Sequence, residues 1–209
     1  MPINQSFAYK NVTISGLPGA GSTTLMAMLK DALTGWRGFS GGEFMRMYAA
    51  ENGLFDKNNK LHHSSMVYGD DFDKKVDFGM REKLLTQGKW ILESWLSGFM
   101  AQEVPGVLKV LVVCSDEAVR IDRIINRDGV TVDVAKKHIH TRYQENLAKW
   151  TRLYADQWQE WVVDTGKVSQ AQPIDFWLPD LYDVVVDTYS TNKEQTLNKV
   201  LDALKKEKP

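Results

Sequence analysis

The sequence predicts a three-layer α/β/α fold around a central five-stranded parallel sheet, and three observations carry that reading. Short runs of β-branched and other apolar residues alternate with longer stretches of helical periodicity. Residues 108–114 (LKVLVVC) are almost continuously apolar, as expected of a strand covered by helices on both faces. No internal repeat or low-complexity segment breaks the alternation. Right-handed crossovers between such strands gather their C-terminal ends along one sheet edge, where ligands bind.

Residues 11–15 (NVTIS) form a strand that runs directly into a glycine-rich turn, and a helix follows over 22–34. Residues 36–40 form a second short strand. A helix over 43–52 begins after the Gly41-Gly42 pair. A longer helix over 64–87 places Val76, Met80 and Leu84 at helical spacing. The strand 90–93 (WILE) follows Gly88. After the strand 108–114 comes a helix over 117–127, stopped by Asp128-Gly129. Residues 132–161 read as one long helix and 165–173 (TGKVSQAQP) as a loop. The strand 182–188 (YDVVVDT) and a helix over 193–206 complete the pattern.

Composition narrows the function. The chain has 209 residues, 43% apolar and 25% charged, enough for a buried core. A net charge of −1 provides no global field for nucleic acid or an anionic membrane. Cys114 is the only cysteine, which excludes an intrachain disulfide framework. The opening MPINQSFAYK has no apolar core of a secretory leader, and no run is long enough to span a membrane, so a cytoplasmic location is expected. The oligomeric state stays open.

Residues 16–23 (GLPGAGST) match G-x-x-x-x-G-K-[ST] at every fixed position except the lysine, which is Ser22. Glycines let backbone amides turn inward around phosphate oxygens, and the helix N-terminus adds its dipole. Gly16, Leu17, Pro18, Gly19, Ala20, Gly21, Ser22, Thr23 and Thr24 are therefore the candidate binding loop for ATP, with Thr23 at the position of a Mg2+-ligating hydroxyl. The lysine normally places positive charge on the β- and γ-phosphates, so that charge must come from elsewhere or turnover must be weak.

The loop, followed by Ser40-Gly-Gly-Glu-Phe-Met-Arg46, resembles the cytidylate kinase family of P-loop nucleoside monophosphate kinases. One branch of that family also carries a small hydroxyl residue in place of the lysine. Asp73-Lys-Lys-Val-Asp77 is similar to its D-x-x-[LV]-D helix, and Ile91-Leu-Glu93 with Leu96-Ser-Gly98 to its V-L-E-G-R-L-A-G turn. Arg123 to Gly129 resembles the lid entry, and 142–154 the lid helix. The resemblance implies one P-loop domain over 1–209, with an acceptor-binding insertion at about 41–88 and a helical lid at about 120–161. It implies phosphoryl transfer from ATP to a nucleoside monophosphate, CMP or dCMP first, with Mg2+. Two alternatives stay open: a kinase of another small metabolite, and a nucleotide-binding regulator with little turnover.

The resemblance also assigns site residues. Arg46 stands where the family holds the acceptor phosphate; a solvated surface charge is the alternative. Ser40 and Gly42 belong to the same turn. Asp73 and Asp77, four apart on one helix face, can accept from a base amino group or ribose hydroxyls, or form a solvated acidic face. The family's acceptor arginines are absent where Phe78 and Trp95 stand, which makes that pocket more apolar. Arg81, one turn beyond Phe78, is a displaced replacement. Arg123, Arg127 and Arg142, with Lys149 beside them, supply lid cations that offset Ser22, unless they are salt-bridged to Asp122, Asp128, Asp133 or Glu145. Glu93 can hold Mg2+ through water, or serve as a helix cap or in a structural ion pair.

The remaining conspicuous residues read as scaffold. Trp150, Tyr154, Trp158 and Trp161 form a core stripe at helical spacing. Cys114 is a buried small hydrophobe. His62-His63 lies in a loop, and His138 and His140 lie on a helix surface, none with metal-ligand spacing.

Overall fold

The computed structural model describes residues 7–51 and 65–205. In chain order the elements are β1 (Asn11–Gly16), α1 (Ser22–Ala32), β2 (Arg37–Ser40), α2 (Gly41–Glu51), α3 (Asp70–Thr86), β3 (Trp90–Glu93) and α4 (Ser97–Met100). β4 (Val107–Val113), α5 (Glu117–Asp128), α6 (Val132–Ile139), α7 (Thr141–Leu153), α8 (Ala155–Trp158), β5 (Val184–Asp187) and α9 (Lys193–Lys205) follow. The five strands form one sheet in the order β2-β3-β1-β4-β5, every pair parallel. Gly16, Ser40, Glu93, Val113 and Asp187 therefore end on one edge.

The apolar strands are continuous because both sheet faces are covered. Leu108, Val110 and Val112 of β4 pack with Leu25 and Leu29 of α1 and with Val200 and Leu204 of α9. Leu111 points to the other face and joins Phe99, Tyr154, Trp158 and Trp161, so the aromatic stripe is core. Each fully buried side chain of this size contributes about 1.5–3 kcal/mol. Cys114 is buried as expected. A separate small core of Ile124, Ala135 and Ile139 holds α5 against α6. From Trp150 to Tyr182 the buried apolar side chains pack into the main aromatic core instead.

Two expected helices are divided. The stretch 132–161 contains no glycine or proline, yet it becomes α6, α7, α8 and a π-helical turn, Gln159–Val163. Tyr154 leaves helical geometry (φ −120°, ψ 21°) with its ring enclosed and its hydroxyl 2.5 Å from Asp77 Oδ2. That break is tertiary in origin. The stretch 64–87 divides at Gly69, whose extended backbone (φ −68°, ψ 152°) caps α3. Asp70, Asp71 and Asp73 fill the first turn of α3, where the helix dipole favours them. Asn52, Ser64, Lys206 and the His62-His63 pair lie outside the described residues. His138 corrects the surface reading: only 13% of its side chain is exposed, its Nδ1 is enclosed, and burial lowers its pKa. His140 is exposed beside Glu117. No helix among the described residues is long and apolar enough to cross a membrane.

Candidate active site

A cleft of about 780 Å³ opens at the C-terminal edge of the sheet. It brings together the glycine loop, the β2–α2 turn, one face of α3, the end of β3, and the arginines of α5 and α7.

The loop owes its shape to glycine and its rigidity to grips from outside. Gly19 has φ +79°, and a Cβ there would meet the Arg120 carbonyl at 2.7 Å, so only glycine lets α5 approach. Arg120 Nε donates to Pro18 O at 3.0 Å, and Arg123 Nη1 to Gly19 O at 3.1 Å. Thr188 Oγ1 donates to Ala20 O at 2.7 Å. The loop carbonyls are thus used on its outer side. Among the described residues, nothing accepts from the amides of Gly19, Gly21, Ser22 and Thr23. These are donors of the kind that cradle an anion at a helix start. Thr23 and Thr24 are exposed at the cleft.

Ser22 does not replace the lysine as a phosphate ligand. It is buried, and its Oγ donates to Glu93 Oε1 at 2.8 Å. Ser40 Oγ donates to Glu93 Oε2 at 2.7 Å and accepts from the Glu43 amide at 3.3 Å, as an N-terminal cap of α2. Both Glu93 oxygens thus accept serine hydroxyls, a structural role that differs in kind from the expected helix cap or ion pair.

Positive charge gathers opposite. Arg46, Arg127 and Arg142 line the cleft, and burial first and then the charge of Arg127 lower the Arg46 pKa. Arg142 is held at about 10, by burial first and then by Arg127 and Arg46. Its guanidinium lies 4.8 Å from the Trp95 ring centroid, and its Nε is enclosed without a hydrogen-bond partner. Arg127 chelates Asp128 at 2.7 and 2.8 Å, yet its side chain stays 43% exposed. Arg123 also lines the cleft, but it is fixed by bonds to Gly19 O, Thr188 Oγ1 and Thr188 O.

The acidic pair on α3 also faces the cleft and is not a solvated surface. Lys149 Nζ sits 2.8 Å from Asp73 Oδ2 and donates to Tyr68 O at 2.8 Å, so this lysine is a buried partner and not a mobile lid cation. Burial nonetheless raises the Asp73 pKa. Burial raises the Asp77 pKa to about 7, against the opposing bond from Tyr154.

Arg81 requires a correction. It does not line the cleft: Nη1 donates to Met100 O and Gln102 O, each at 2.7 Å, and the guanidinium lies 3.9 Å from the Trp161 ring centroid. It satisfies carbonyls that the end of α4 leaves open. Phe78 likewise packs against Tyr154 and Trp161, so of the two departures only Trp95 makes the cleft more apolar. The sequence reading missed Thr188, Asn192 and Lys193, which line the nucleotide-loop end of the cleft. Their position just after the last strand was the available signal, since that strand ends on the same edge.

The comparisons with known proteins agree with this geometry. The AAA-domain family matches residues 15–146. A cytidylate kinase of Methanosarcina barkeri is 30% identical over 196 residues, 93% of each chain. The chain belongs to the cytidylate kinase family of P-loop kinases. Another cytidylate kinase, from Methanosarcina acetivorans, is 30% identical over 90% of this chain and 92% of its own. Among solved structures, an uncharacterized protein from Eubacterium ventriosum aligns with a TM-score of 0.62 at 10% identity, covering 93% of this chain and 98% of that one. A gluconokinase from Sinorhizobium meliloti gives 0.51 at 12% identity, covering 95% and 93%. At those identities the likeness shows the cytidylate kinase-like chain's fold alone.

Proposed function

We propose that this chain transfers the terminal phosphoryl group of ATP to a nucleoside monophosphate, with CMP or dCMP as acceptor. The observation that carries the reading is the single cleft in which a phosphate loop meets Arg46, Arg127 and Arg142. The curated relatives named cytidylate kinase support the choice of acceptor. The loop amides hold the ATP phosphates. Arg46 takes the acceptor phosphate, and Asp73 and Asp77 face its base or sugar. Residues 41–88 then act as the acceptor-binding insertion and 120–161 as the lid. Arg127 and Arg142 neutralise the transferred group, and Arg123 keeps the loop in shape.

Mg2+ fits this site as a partly hydrated ion. Thr23 presents an exposed hydroxyl at the loop, and no cluster of three acidic, histidine or cysteine ligands occurs among the described residues. Thr23 would bind the ion directly, and Glu93, with both oxygens already accepting serine hydroxyls, through water. When bound, the ion supplies charge neutralisation at the β- and γ-phosphates. No side-chain base is needed, because the acceptor phosphate is already nucleophilic near neutral pH.

An ADP-release assay over a panel of nucleoside monophosphates and small hydroxyl metabolites tests the reading. Turnover with CMP or dCMP is expected. Turnover confined to a non-nucleotide acceptor would select a metabolite kinase, a reading favoured by Trp95 at the cleft wall. ATP binding without any acceptor-dependent turnover would select a regulator.

A further inference from the structure

We infer that Glu93 is a positioning residue that couples the ATP loop to the acceptor turn, so that occupancy of one orders the other. The inference rests on the proposed nucleotide-binding role of the cleft. One carboxylate at the end of β3 is shared by two hydroxyls from different functional elements. Ser22 is the first residue of α1, directly behind the phosphate loop. Ser40 ends β2 and caps α2, which carries Arg46. A continuous chain of donors thus runs from the Glu43 amide through Ser40 to Glu93, and from Ser22 back to the same group.

Three features make this linkage stiff. Bonds from hydroxyls to a carboxylate are short and about twice as strong as neutral ones. Glu93 is 6% exposed, so releasing either serine leaves a carboxylate oxygen buried and under-satisfied. The backbone has no slack either. Ser40 and Glu93 are paired in the sheet, the Ser94 amide bonds Ile14 O of β1 at 3.2 Å, and a Cβ on Gly41 would meet Ser94 Cβ at 2.9 Å. A shift of the α1 start around bound phosphate therefore reaches the α2 start through Glu93. The same geometry explains why residue 22 is small: its side chain serves Glu93 and not the phosphates.

Hydrogen exchange of the full chain, with and without a saturating non-hydrolysable ATP analogue and with no Mg2+ so that any role of Glu93 at the ion drops out, tests the coupling. In the parent protein the analogue should slow exchange by about fivefold or more both in the loop and in Gly41–Arg46. In Glu93→Ala, loop protection should remain while protection of Gly41–Arg46 is lost. Glu93→Gln should restore it, since the amide can still accept from one serine and donate to the other. Ser22→Ala and Ser40→Ala, each removing one arm, should uncouple in the same way and replace Glu93→Ala if that variant does not fold. Protection of Gly41–Arg46 that persists without either arm would overturn the inference, as would its absence in the parent. Failure of the parent to bind the analogue would overturn both this inference and the nucleotide reading. Coupling without CMP or dCMP turnover would sink the acceptor assignment alone.

Discussion

At the scale of single residues, side chains that line the cleft are distinct from those that hold other side chains. Arg142 belongs to the first group, with an enclosed Nε that has no partner and a ring beneath its guanidinium. Arg142→Ala should lower kcat by about a hundredfold or more while changing ATP affinity only a few-fold, because its charge matters most as charge develops on the transferred group. Equal losses in both would place it in ground-state binding. Arg81 belongs to the second group. Arg81→Ala should cost about 2 kcal/mol of stability through two charged hydrogen bonds and a ring contact, with acceptor KM unaltered. Denaturant melts and steady-state kinetics check the pair, and a raised KM at full stability would return Arg81 to the site. Asp77 adds a pH dependence. Its folded pKa of about 7 exceeds its ordinary value of 3.8, so the native state binds the extra proton between those limits. Its contribution to stability is complete below about pH 4 and is lost as pH rises through 7. Asp77→Asn should remove that part of the slope in melts run from pH 4 to 8; an unchanged slope would assign it to another group, Asp73 first.

At the scale of elements, strands were legible and helix breaks were not. β3 and β4 appear in the sequence as apolar runs because both of their faces are covered, and β1 and the glycine loop could be placed from each other and from the helix that follows. The end of α7 was hidden because Tyr154 breaks the helix for a bond to Asp77, a residue on another element. Arg81 was misplaced for a related reason. Helical spacing put it near Phe78, but both side chains turn toward the aromatic core and away from the cleft. The grip of α5 on the loop was equally invisible, since i and i+3 spacing of Arg120 and Arg123 shows a shared face but not what that face meets. It leads to a prediction for the element as a whole: Arg120→Ala with Arg123→Ala should weaken ATP affinity more than kcat, because the carbonyls they hold turn the loop amides inward. Fluorescent-nucleotide binding would read this, and unaltered affinity would show that the loop keeps its shape unaided.

At the scale of the whole molecule, the parallel sheet places five strand ends on one edge and so assembles a site from residues as distant in sequence as Gly16 and Lys193. The loop has no lysine, and the cations that line the cleft come from α2, α5 and α7. That arrangement has a physical consequence for the empty protein. Beyond the effect of burial, Arg127 lowers the pKa of Arg46, and Arg127 and Arg46 lower that of Arg142, so like charges repel across the cleft even with Asp128 chelating Arg127. In the proposed reaction the phosphates add to the counter-charge that Asp128, Glu43 and Glu93 already supply. On the proposed function, the empty cleft is held under an outward electrostatic pressure between its arginines, and the arrival of phosphate relieves it.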